Sequence, residues 1–191
     1  GFTLGFPLYL KDTVAIPQIT AIFDGNELSF GSVLLDSGQG QAVAEGSFLF
    51  DRWVPDTFGI KIAIDPLKPI SALLDIIGIR YGGLASGRLS LDMHKDYFSL
   101  SGDLGLSNSI ITIDAQAIAA RREARPDQMP VVIDLGLRTG RKVEFLWPSA
   151  QLPILRAYAD SNKRLKIIYD GFTGKYSIIG DIPLRGGEVF Y

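Results

Sequence analysis

The feature that most constrains this chain is an alternation of polar and apolar residues with a period of two. Gly87-Arg88-Leu89-Ser90-Leu91-Asp92-Met93 alternates without error. Phe98 to Leu106 does the same, with Phe, Leu, Gly, Leu, Leu on one side and Ser, Ser, Asp, Gly on the other. Val131 to Arg138 repeats the pattern with one slip at Val132, and Lys142 to Trp147 with one at Leu146; Tyr176 to Leu184 follows it more loosely. Successive side chains of a strand point to opposite sides, so each run has one apolar and one polar face. Sheets with a single buried face read this way and are usually antiparallel, whereas parallel strands buried on both faces read as unbroken apolar runs. Thr20–Asp24, Leu28–Leu35, Gln41–Trp53 and Phe58–Asp65 are noisier strand candidates.

Turn residues separate the runs: Asp24-Gly25-Asn26, Asp36-Ser37-Gly38, Tyr81-Gly82-Gly83, Thr139-Gly140, Asp170-Gly171 and Arg185-Gly186-Gly187. Their glycines supply the positive φ that tight hairpins need. One segment, Pro69 to Gly78, has helical character. Pro69 starts it, Gly78 caps it, and Ile70, Leu73, Leu74 and Ile77 fall on one stripe. Ala115 to Arg125 is a weaker helix candidate. The expected fold is an all-β, antiparallel sheet with one short helix, in a single domain over residues 1–191.

Composition narrows the function. With 191 residues the chain has room for one sizeable core. Nineteen basic against 21 acidic side chains give a net charge of −2, which argues against a nucleic-acid binder. Hydrophobic residues at 47% exclude intrinsic disorder. There is no cysteine and His94 is the single histidine, so disulfides, thiol catalysis and metal sites needing several histidines are excluded. The charge is uneven: residues 1–100 hold 7 basic and 11 acidic groups (7 − 11 = −4), residues 101–191 hold 12 and 10 (12 − 10 = +2). The basic excess sits in Arg121–Arg125, Arg138–Lys142 and Lys163–Lys166, which read as solvated loops and strand ends rather than as a site for anionic headgroups. No apolar run is long enough to span a bilayer as a helix, and no signal peptide opens the chain. Starting at Gly1-Phe2 and stopping at Tyr191 in mid-strand, the chain reads as a piece of a longer one.

Catalytic motifs are weak. Gly38-Gln39-Gly40 lacks the helix that a dinucleotide loop needs and reads as a turn. Asp51, Asp56 and Asp65 lack the ligand spacing of a calcium loop. His94 lies in a polar turn, and no serine sits in a nucleophile elbow. These observations favour a binding or structural protein with no cofactor and no metal over an enzyme.

The last third carries a resemblance. Val131-Val132-Ile133-Asp134-Leu135 is followed by Arg141 to Pro148, then Leu165 to Gly171, Tyr176 to Leu184 and Arg185-Gly186-Gly187-Glu188-Val189-Phe190-Tyr191. This order resembles the C-terminal domain of the TamB family, within the AsmA-like group. Gly83 to Leu91 with Leu100 to Leu106 is similar to the repeated strand unit of that family. The resemblance implies a sheet bent into a U-shaped half-pipe (β-taco) with an apolar concave face. It further implies a periplasmic location in a diderm bacterium, with the full-length protein anchored in the inner membrane and reaching the outer one. The implied partners are phospholipid acyl chains and a TamA/BamA-like outer-membrane protein.

Carrying a two-chain lipid through water exposes about thirty methylenes, on the order of 25 kcal/mol, and an apolar trough avoids most of that cost without a catalytic group. The resemblance assigns the lining to Leu89, Leu91, Leu100, Leu104, Leu106, Ile133, Leu135, Val143, Phe145, Ile167, Ile178 and Ile182. On the residues alone, the same side chains read as the core of a closed sandwich or barrel. Lipid carriage between membranes is therefore the leading expectation. A scaffold pairing nascent outer-membrane strands with an open edge at Tyr176–Tyr191 is the second. A closed carbohydrate-binding or hydrolytic sandwich is the third.

Overall fold

The computed structural model describes residues 1–6, 9–76, 78–114, 129–149 and 151–190. The strands are β1 (Phe2–Leu4), β2 (Val14–Ile16), β3 (Ala21–Asp24), β4 (Glu27–Ser37), β5 (Gly40–Asp51), β6 (Val54–Ile64), β7 (Ile70–Ile76) and β8 (Ile79–Met93). They continue with β9 (Phe98–Ile113), β10 (Val131–Thr139), β11 (Val143–Trp147), β12 (Leu155–Ala159), β13 (Arg164–Asp170), β14 (Lys175–Gly180) and β15 (Leu184–Val189). All belong to one open sheet, and the described residues contain no helix.

The sheet is organised on its two longest strands. β8 and β9 pair from Met93↔Phe98 to Ile79↔Ile113. On the β8 side, β6 takes the Gly87–Met93 half and β7 takes the Ile79–Ala85 half. On the β9 side, β10 runs beside Phe98–Leu106 and β11 beside Ser109–Thr112. The sheet therefore forks on both sides of this ribbon. Outward from β6 lie β5 and β4, with β2–β1 and β3 sharing the far edge of β4. Outward from β10 lie β13 and β14; outward from β11 lie β12 and β15.

A crease crosses the ribbon at one level. The β8–β9 register shifts between Gly82 and Leu84, and a Cβ on Gly83 would run into Ser109. Opposite it, Asn108 sits at φ 44°. On the next strand line, Gly140–Lys142 interrupts what is otherwise one course of β10 and β11 along β9, with Lys142 at φ 53°. Bulges bend a strand and sharpen its twist. Across the crease, apolar side chains of both parts meet in one core that includes Ala42, Ile64, Tyr81, Leu104, Leu106, Ile111, Val143, Ala159 and Ile167. Leu106, Leu135 and Val143 are the largest side chains fully removed from solvent. A satellite cluster of Val14, Ile16 and Val33 anchors the N-terminal edge.

Two sequence expectations are corrected. The segment 69–78 is a strand and its hairpin turn, not a helix. β7 pairs with β8 from Ile70↔Ala85 to Ile76↔Ile79, Gly78 turns the chain at φ 80°, and Leu10 bridges Ala72 on the other edge. Its i, i+3, i+4 stripe is overridden because the neighbouring strand supplies partners for its backbone along both edges; β-branched Ile70 suits either state. The sheet is also mixed rather than antiparallel, because β10 and β11 run parallel to β9. Residues 114–130 give the chain enough length to return to the other end of β9 before pairing. The second helix candidate, 115–125, lies outside the described residues. Gln41–Trp53 stops at Asp51, since Arg52 (φ 49°) and Trp53 (φ 69°) form a two-residue hairpin turn. The stretch 176–191 divides between β14, beside β13, and β15, beside β12.

Candidate functional site

Cross-strand partners share a face, so the pairing register places side chains in rows across the sheet. One row reads Leu28, Phe48, Phe58, Met93, Phe98 and Val131. The next reads Phe30, Gly46, Ile60, Leu91, Leu100, Ile133, Tyr169 and Tyr176. A third reads Val33, Ala44, Ile62, Leu89, Gly102, Leu135, Ile167 and Ile178, and a fourth Leu35, Ala42, Ile64, Gly87, Leu104, Leu137, Leu165 and Gly180. The alternate residues, on the other face, include Glu45, Lys61, Ser90, Ser101 and Asp134.

Burial changes from row to row. Toward the crease, Ala42, Ile64 and Leu104 are buried. The enclosed space there is a cavity of about 30 Å³ lined by Leu74, Ile79, Tyr81, Leu106, Ile111, Leu135, Leu137, Leu165 and Ile167. That is the volume of about one water molecule, far below what an acyl chain needs. Apolar side chains of the protein itself fill most of this end among the described residues. At the far end, the first row is half-buried, with Val131 exposed. Phe30, Phe48, Phe58 and Phe98 form a ladder with ring centroids 6.3, 5.4 and 6.1 Å apart. Beyond it, Phe23 stacks on Trp53 at 5.6 Å and tilts against Phe50 at 6.0 Å, and Trp53 keeps 81% of its surface exposed. The end of the rows away from the crease is therefore aromatic.

Of the twelve lining residues assigned from sequence, Leu104, Leu106, Ile133, Leu135, Val143 and Ile167 are buried. Leu89, Leu100, Phe145 and Ile182 are half-buried, while Leu91 and Ile178 are exposed. Nine of them fall in register on this one side of the sheet: Leu89, Leu91, Leu100, Leu104, Leu106, Ile133, Leu135, Ile167 and Ile178. Val143 and Phe145 lie on β11 past the crease, and Ile182 lies between β14 and β15. The phenylalanine ladder was not assigned. A signal for it lies in Phe58-Gly59-Ile60-Lys61-Ile62-Ala63-Ile64, where Phe58, Ile60, Ile62 and Ile64 alternate with Gly59, Lys61 and a single apolar interruption at Ala63.

The polar groups are scattered. Asp56 pairs with Lys95 at 3.6 Å, Asp65 accepts a hydrogen bond from the Leu67 N–H at 2.8 Å, and His94 stacks on Tyr97 at 4.2 Å. Among the described residues no three His, Asp or Glu side chains gather closely enough to hold a metal ion. Asp170 has its carboxyl held below the usual range by hydrogen bonds from the Thr173 hydroxyl and the Phe172 N–H, which closes the β13–β14 turn. Compared with protein-family models, curated proteins and solved structures, the chain finds no match.

Proposed function

We propose that this chain is a non-enzymatic part of a TamB-like envelope protein, and that the open, aromatic end of its apolar rows holds phospholipid acyl chains on their way between inner and outer membrane. In this reading the sheet curves as a half-pipe, the crease closes one end of it, and the phenylalanine ladder lines the mouth. The observation that carries the proposal is the row Phe48, Phe58, Met93 and Phe98, apolar side chains of four neighbouring strands that each keep part of their surface in solvent. An acyl chain laid along such rings gains about 0.8 kcal/mol per buried methylene, so eight methylenes contribute about 6 kcal/mol. The full-length protein, on this reading, is anchored in the inner membrane and works in the periplasm.

The test is chemical extraction of the purified protein followed by mass spectrometry of the organic phase. Phospholipid is expected from the unaltered chain and much less from a Phe48→Ser/Phe58→Ser variant with an unchanged melting temperature. An organic phase free of phospholipid overturns the proposal. A second reading is favoured by one observation: β14 is exposed along its whole length and is paired only with β13 among the described residues. Such an edge offers unpaired backbone groups to another strand. That edge suits a scaffold for outer-membrane barrel strands working with a TamA/BamA-like partner, and crosslinks from β14 to a barrel protein are its signature.

A further inference from the structure

Two basic segments far apart in sequence meet at the crease. The Gly140–Lys142 break follows β10, and residues 160–163 form the turn between β12 and β13. Thr139 knits them together. Its N–H donates to the Lys163 carbonyl at 2.9 Å, its hydroxyl donates to the Asp160 carbonyl at 2.6 Å, and its carbonyl accepts from the Asn162 N–H at 2.5 Å. The Ser161 hydroxyl adds a bond to the Gly140 carbonyl at 3.0 Å. The carbonyls of Arg141 and Lys142 accept from the Asn108 and Ser109 N–H groups of β9. The turns are thus fixed to each other and to the sheet, and they gather Arg138, Arg141, Lys142, Lys163 and Arg164 at the level of the crease.

This gathering is electrostatically unfavourable by itself. Arg138 and Arg164 are direct cross-strand partners, and like charges placed opposite each other destabilise a sheet. Three acids nearby are engaged elsewhere, Asp160 with Arg185 at 2.5 Å, Glu144 with Arg156 at 2.6 Å and Asp134 with Lys166 at 3.0 Å; Asp103, over Gly136, and Asp181, which follows Gly180 beside Arg164, leave five cations facing two acids. None of the five cations makes an ion pair among the described residues, although the chain as a whole is acidic. Arg138 and Arg164 lie on the face opposite the apolar rows, and Ile179, 56% exposed, shares that face opposite Lys166.

From this we infer that the crease presents a cationic surface that docks the protein on the phosphodiester headgroups of an anionic lipid bilayer. The five cations are spread over two turns and a strand, with an exposed apolar side chain beside them, which suits many dispersed phosphates rather than one small anion. A long polyanion such as RNA is disfavoured by the acidic first half of the chain. The surface's two strand residues, Arg138 and Arg164, lie on the opposite side of the sheet from the guest-holding rows, and the inference does not depend on those rows.

Co-sedimentation with vesicles tests it, using neutral phosphatidylcholine vesicles and phosphatidylcholine–phosphatidylglycerol vesicles at low and high salt. Binding to the anionic vesicles only, falling as salt rises, is expected. Each neutralised cation weakens it by about five-fold, so Arg138→Gln/Arg164→Gln and, as an independent pair, Arg141→Gln/Lys142→Gln each lose about 25-fold. Lys61→Gln, at the other end of the same face, leaves binding unchanged. Equal binding to neutral vesicles, full binding by both double variants with unchanged melting temperatures, or tighter binding to inorganic polyphosphate or an RNA oligomer than to the vesicles overturns the inference. The Phe48→Ser/Phe58→Ser variant keeps its vesicle binding, so a failure of lipid extraction and a failure of docking are told apart.

Discussion

Tyr81 shows how the sealed end constrains a single residue. Its ring is buried against the apolar cavity, and its hydroxyl donates to the Leu84 carbonyl at 2.7 Å across the register shift at Gly83. Burial pushes the hydroxyl above the usual tyrosine range, and the neighbouring Ser109 hydroxyl offsets this in part. The sign follows from linkage. A group whose acidity is weakened by folding contributes stability that is intact below the unfolded value of about 10 and is lost as pH rises above it. Stability measured by urea unfolding is therefore expected to fall as pH rises above about 10. Tyr81→Phe removes that alkaline loss and costs about 1 kcal/mol at neutral pH, because the Leu84 carbonyl loses its partner. An unchanged alkaline limb in the variant assigns the loss to another group.

At the scale of elements, the β8–β9 ribbon depends on two glycines outside the turns. Gly87 (φ 120°) and Gly102 (φ 146°) face the partner strand so closely that a Cβ would meet the backbone carbonyls of Asp103 and Arg88. Both lie in the apolar rows, where a larger residue would otherwise add buried surface. Close approach of the two strands is what the chain keeps instead. Gly87→Ala combines a backbone conformation unfavourable for alanine with a direct clash and is expected to lower stability by about 2–3 kcal/mol in denaturant unfolding. Gly31→Ala, with open space around its Cβ position and ordinary backbone angles, serves as the control and changes little.

For the whole molecule, the two ends of the apolar rows should differ in dynamics as they do in burial. Local opening follows the density of buried apolar contacts. Native-state hydrogen exchange is expected to be slowest in the Ile79–Ala85 and Leu104–Ile111 parts of the ribbon, where the core closes over the crease. It should be fastest in β14 and β15, which are exposed at every residue and paired along one edge each. β3 and β6 near the aromatic mouth fall between these. Uniform protection along the full length of β8 and β9 would show that the open and sealed ends are one cooperative unit.

Period-two alternation made the all-β class and most of the central strands legible, because the pleat forces neighbouring side chains to opposite faces whatever their partners are. Within each strand it separated the apolar side from the polar one, Leu89 from Ser90 and Leu104 from Asp103 among them; that Leu89, Leu104, Ile133 and Ile167 share a side came from the pairing register. Alternation says nothing of strand direction, so the parallel pairing of β9 with β10 and β11 was decided by the tertiary structure. Neither could it distinguish a strand from a helix in Ile70–Ile76, where Ile70, Ala72, Leu74 and Ile76 satisfy period two while Ile70, Leu73 and Leu74 fit a helical stripe, and the pairing with β8 decided. The sealed cavity, the open phenylalanine ladder and the meeting of Arg138 with Arg164 belong to tertiary structure alone. Each brings together residues of different strands, and only the crease and the pairing register determine which of them touch.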